Sequence, residues 1–72
     1  SPGLFREELR LEPGKRVRLL GKPYTGSTGE IIELPEESEK FASGLVMRPV
    51  VVRREDDLVI RIPRENVELI LE

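Results

Sequence analysis

Arg16 and Arg18 stand two residues apart, so an extended backbone places both guanidinium groups on one face. Lys22 follows just past that segment, and Tyr24 sits in the loop beyond it. Together these four residues can track a phosphate backbone while the tyrosine ring stacks on a base. The same residues also read as a solvated outer face, with the arginines pairing Glu30 and Glu33 on the next strand. In that reading Tyr24 packs over the rim of the fold and turns its hydroxyl outward. The second reading is favoured, because those carboxylates lie at a compatible spacing and neutralise the patch. A further basic set, Arg53, Arg54, Arg61 and Arg64, brackets Glu55, Asp56 and Asp57, and cross-strand ion pairs are expected there.

Catalysis finds little footing. Histidine and cysteine are absent, which removes the usual zinc ligands, the commonest general base and any disulfide. Asp56 and Asp57 are adjacent turn carboxylates that face apart, whereas acid–base work needs buried, convergent groups. Glu36, Glu37 and Glu39 lack the ligand alternation and glycine of a calcium loop. Gly26 and Gly29 lie in a Gly-rich stretch, but a strand follows it, where a phosphate loop requires a helix N-terminus. Both glycines therefore read as turn chemistry. Gly26 permits a tight turn, and Gly29 opens a strand at a position where positive φ or a close strand crossing excludes a Cβ. No cofactor, metal or membrane contact is expected.

A chain of 72 residues makes one small domain. Its 38% hydrophobic content is mostly Val, Ile and Leu, residues that suit a half-buried pleated surface. Charged residues make up 36% and nearly balance, leaving a net charge of −2 and no global pull toward nucleic acid. High charge without Cys, Trp, His or Gln is compatible with a thermophilic source. No apolar run approaches the roughly 20 residues of a membrane-spanning helix, and no secretory signal is visible, so a cytoplasmic setting is expected. Ser1-Pro2-Gly3 reads as a cut point or tag scar, and the expectation is a domain excised from a longer protein.

Residues 1–13 are expected to form an N-terminal cap, with a short helix or turn over residues 4 to 9 bringing Leu4 and Phe5 to one open end of the fold. Pro13-Gly14 breaks any helix. Strands are then expected at about 15–20, 29–34, 45–54, 58–62 and 67–70, with turn signals between them, a pattern typical of a small barrel or sandwich. Residues 36–44 read as an acidic loop anchored by Phe41. Pro49 interrupts the third strand and implies either a bulge or an edge position. Pro63 to Asn66 reads as a single 3₁₀ turn. Period-two alternation nominates Val17, Leu19, Ile31, Val50, Val52, Leu58, Ile60, Ile62, Val67 and Leu69 as the core.

The pattern Gly14-x-x-Val17-x-x-Leu20-x-x-Pro23-Tyr24-x-Gly26-x-x-Gly29-x-Ile31 resembles a KOW motif, as found in NusG-type transcription factors and several ribosomal proteins. Ile62 to Ile70 is similar to the closing turn and last strand of SH3-like barrels. The resemblance spans about residues 14–70 and implies an all-β, five-stranded antiparallel SH3-like barrel. Two departures stand out: the acidic segment at 35–44 is expanded, and the chain is not basic. KOW domains bind nucleic acids or proteins. The expectation is a non-catalytic binding module, protein-interacting or architectural, with a nucleic-acid accessory domain of transcription or translation as the alternative.

Overall fold

The computed structural model describes residues 9–72, so the expected helix or turn with Leu4 and Phe5 lies largely outside the described residues. The described chain is all-β, with seven strands, one 3₁₀ turn and no α-helix. The strands are β1 (Arg16–Leu19), β2 (Thr28–Glu33), β3 (Glu39–Lys40), β4 (Val46–Met47), β5 (Pro49–Arg54), β6 (Val59–Pro63) and β7 (Val67–Leu69). Five of them form one antiparallel sheet in the order β6-β5-β2-β1-β7, and β3 pairs with β4 in a small second sheet. The last strand thus returns to pair with the first. Among the described residues no helix is long and apolar enough to cross a membrane.

Closure into a barrel is not reached. β6 and β7 are the two edges of the sheet and are not hydrogen-bonded to each other. Arg64–Asn66 forms the expected 3₁₀ turn and carries the chain from β6 to the far side of β1, where the three residues of β7 pair with β1 alone.

Alternation along the strands builds the core. Val17, Leu19, Ile31, Val50, Val52, Ile60 and Val67 form one buried cluster, with Leu11, Tyr24, Leu34, Ile62 and Leu69 packed against it. Leu58 departs from the expectation: it is 42% exposed, because it closes the β5–β6 turn before the strand begins. A bulge between Ile31 and Glu33 lets both Ile31 and Leu34 reach the core.

The expected third strand is two strands. Pro49 begins β5, where its missing N–H breaks no ladder, and Val46–Met47 belongs to the β3–β4 hairpin. The acidic stretch is therefore partly strand rather than loop. The β2–β5 ribbon runs on into this hairpin and is interrupted at Pro35 and Pro49. Arg64 spans the interruption: its Nη2 donates to the Pro35 carbonyl at 2.6 Å and its Nε to the Pro49 carbonyl at 2.8 Å. Val51 is buried too, at 5% exposure, although it points away from Val50 and Val52. Its cross-strand partner Arg61 reaches Glu39 of β3 at 3.3 Å, which brings the small hairpin to that face.

Two hairpins share one turn design. In each, a three-residue loop ends in a residue of positive φ, Gly44 at 91° and Asp57 at 67°. Phe41 N donates to the Leu45 carbonyl and Gly44 N to the Phe41 carbonyl, as Arg54 N and Asp57 N do to Leu58 and Arg54. This is a type I turn followed by a left-handed residue. Aspartate tolerates that backbone, as expected for the Glu55-Asp56-Asp57 turn.

Candidate binding face

β1 carries Arg16 and Arg18 on the outer face of the sheet, with Val17 and Leu19 turned into the core. Arg16 is held by two carboxylates: its Nη2 lies 3.1 Å from Glu55 Oε1 and its Nε 3.0 Å from Glu72 Oε1. Thr28 completes a triangle, accepting from Arg16 at 3.4 Å and donating to Glu55 at 2.9 Å. These bonds hold the Glu55 carboxyl below its ordinary pKa, through the Thr28 hydroxyl first and the Arg16 guanidinium second. Arg18 pairs with Glu68 at 3.2 Å, its direct cross-strand neighbour on β7.

The expected partners, Glu30 and Glu33, make no ion pair among the described residues, even though Glu30 stands opposite Arg16 in the β1–β2 register. Arg16 and Arg18 turn instead to the β5–β6 turn, the chain end and β7. The opposite-charge logic is legible in the sequence. The pairing of the last strand with the first, which supplies Glu68, leaves no mark near the arginines themselves.

The loop from Leu20 to Ser27 holds the other two candidates. Gly21-Lys22-Pro23-Tyr24 is a turn around a cis Lys22–Pro23 bond, with Tyr24 N donating to the Gly21 carbonyl at 3.2 Å. Tyr24 to Ser27 makes a second turn, closed by Ser27 N to the Tyr24 carbonyl at 3.0 Å, with Gly26 at φ 87°. That is the type II position only glycine fills comfortably. Lys22 is exposed and makes no ion pair among the described residues. Tyr24 packs against the core cluster, and the Arg54 guanidinium lies over its ring, 4.9 Å from the centroid. Arg54 is fixed there by Asp56 at 3.3 Å. One face of the tyrosine is therefore occupied. Arg16 and Arg18 share the outer face of β1, Lys22 is exposed in the loop, and Tyr24 is half-buried against the core cluster.

Gly29 keeps its place by close approach rather than by positive φ. A Cβ there would lie 2.6 Å from the Arg53 carbonyl oxygen and 2.6 Å from Val52 Cγ1. In the second basic set, Arg54 pairs within its own turn, Arg61 pairs with β3 and Arg64 binds backbone carbonyls, so the expected cross-strand pairing with the Glu55-Asp56-Asp57 turn reduces to Arg54 and Asp56. Asp56 also accepts from Leu58 N at 3.2 Å, which accounts for one of the two adjacent turn carboxylates.

A shallow polar cleft of about 320 Å³ opens between Gly26, Ser27, Thr28, Arg54, Glu55 and Asp56. Its charged groups are already bonded to one another or to Arg16. Among the described residues no group of three or more acidic side chains is placed to hold a metal ion. Compared with family models, with curated proteins and with solved structures, the chain matches none.

Proposed function

We propose that the chain is a non-catalytic binding module of SH3-like fold that acts through protein–protein contact. The SH3-like reading is supported by the strand order, a meander whose last strand returns through a 3₁₀ turn to pair with the first. The bulge after Ile31 and the close crossing at Gly29 supply the bending that such a fold requires. The KOW-like stretch forms the β1–β2 hairpin.

The observation that carries the choice of partner is the double engagement of Arg16 by Glu55 and Glu72, with Arg18 held by Glu68. A phosphate would have to displace three carboxylates from the two cations best placed to receive it. With a net charge of −2, no wider field favours that exchange. The alternative, nucleic-acid binding, draws on Lys22 and Arg53, which are exposed and carry no ion pair among the described residues.

Titration of labelled RNA and DNA oligomers at low salt separates the two. The expected result is no saturable signal up to roughly tens of micromolar, above the usual range of specific binding. Tight binding would overturn the proposal if Arg16→Ala and Arg18→Ala each flattened its salt slope by about 0.7 to 0.9, the share of one neutralised phosphate.

A further inference from the structure

β6 is an edge strand of the described sheet with exposed apolar residues where it begins, Val59 at 51% and, just before it, Leu58 at 42%. Its backbone orientation follows from the turn. Arg54 N donates to the Leu58 carbonyl, so Leu58 directs its C=O, and Ile60 and Ile62 their N–H and C=O groups, toward β5. Val59 and Arg61 must then direct theirs to the edge that stays unpaired among the described residues. Charge also varies along this edge, with Asp56 and Asp57 preceding it and Arg61 near its end.

We infer that β6 is a self-complementary edge on which a second copy of this chain pairs antiparallel, with Val59 facing Val59 across a two-fold axis. In this register the two Val59 residues exchange both backbone hydrogen bonds, as the outward direction of their groups requires. Leu58 of each copy lies opposite Ile60 of the other, so the exposed apolar residues are covered. Arg61 lies opposite Asp57 of the second copy, and the two-fold repeats that pair. A charge on an edge strand ordinarily blocks such pairing. Here the turn just before the strand carries the counter-charge, Asp57, next to the symmetry-related position, which is the observation that selects a second copy over an unrelated chain. Glu39 binds the Arg61 Nε and leaves its two terminal nitrogens for Asp57. The inference rests on the reading of the chain as a protein-interaction module and names its partner.

Sedimentation equilibrium of the full chain, from about 10 µM to about 1 mM, tests it over the range of a small interface. The expected result is a reversible monomer–dimer equilibrium that weakens with added salt. Val59→Lys, which sets like charges face to face, should raise the dissociation constant at least about tenfold. Leu71→Lys, on an exposed residue beyond β7, should leave it unchanged. In the unmodified chain, amide exchange at Val59 and Arg61 should slow with rising protein concentration, which makes the test independent of how the variants fold. A strictly monomeric chain, concentration-independent exchange at those two amides, or a dimer that survives Val59→Lys would overturn the inference. A monomer that binds no oligonucleotide removes the dimer and leaves the protein-contact reading standing, whereas tight oligonucleotide binding whose salt slope Arg16→Ala and Arg18→Ala flatten removes the protein-contact reading itself.

Discussion

The Arg53 carbonyl oxygen lies 2.6 Å from where a Cβ on Gly29 would stand, so β2 and β5 approach as closely there as a residue without a side chain allows. The obstacle is backbone on one side and the buried Val52 on the other, and neither can swing away. Any side chain must part the central strand of the sheet from its neighbour β5. Gly29→Ala should destabilise the fold by about 1–3 kcal/mol, the usual cost of overpacking, and Gly29→Val by more. Thermal or urea unfolding measures this, and a melt unchanged from the parent would refute the close-crossing account.

Ile60 and Leu58 share a face of the β6 segment but differ in burial, 8% against 42% exposed. Ile60→Ala should therefore cost about 2–5 kcal/mol through lost burial and a cavity. Leu58→Ala should stay within about 0.5–1 kcal/mol, as for a residue at the surface. Equal losses in urea unfolding would contradict the placement of the core edge between these two residues.

Much of the sheet is legible from alternation. Val17 and Leu19, Ile31, and Ile60 and Ile62 face inward as period two requires, and Pro63-Arg64-Glu65-Asn66 turns where its residues say it should. Val51 is not legible, because it is buried on the face opposite Val50 and Val52, and nothing in its own strand marks that face as covered there. The split of the third strand is half visible: Pro49 announces an interruption, and only the pairing of β3 with β4 shows that the residues before it belong to another hairpin. Among the candidate site residues, the expected pairing with Glu30 and Glu33 fails because β1 has two neighbours rather than one. Glu68 is 50 residues from Arg18 in sequence and directly beside it in the sheet. Arg54, by contrast, carries a usable signal. It shares the inward face with Val50 and Val52, and a cation at the inward end of a strand must cap the core or pair, as it does over Tyr24.

Arg64 connects two carbonyls that the prolines leave without ladder partners, at distances of 2.6 and 2.8 Å, in a half-buried setting. Arg64→Ala removes a charged donor from both at once. The expected loss is about 1.5–3 kcal/mol, the range for hydrogen bonds involving a charged group. Arg64→Lys should recover only part of it, because an ammonium cannot reproduce the planar fork that reaches both oxygens. Chemical denaturation of the three proteins decides the matter, and full recovery by lysine would show that charge rather than geometry holds the ribbon at Pro35 and Pro49.

Glu55 ties three parts of the chain together: the Arg16 guanidinium on β1, the Thr28 hydroxyl on β2 and its own turn after β5. Its folded-state pKa is lowered from the ordinary 4.5, by the Thr28 hydrogen bond first and Arg16 second. A carboxyl whose pKa falls on folding contributes stability that is fully present above its unfolded value. That stability is lost as pH drops through the lower, folded value. The Tm difference between the parent and Glu55→Gln should therefore be constant at neutral pH and shrink in acid, below the ordinary carboxylate range. The effect is small, since the side chain is exposed and water screens the pair. Thr28→Val should raise the Glu55 pKa toward 4.5, since it removes the largest single cause. NMR titration of the Glu55 side-chain carboxyl in the parent and in Thr28→Val reads both values directly. An unshifted carboxyl in the parent, or one that Thr28→Val does not move, would break the triangle of Arg16, Thr28 and Glu55.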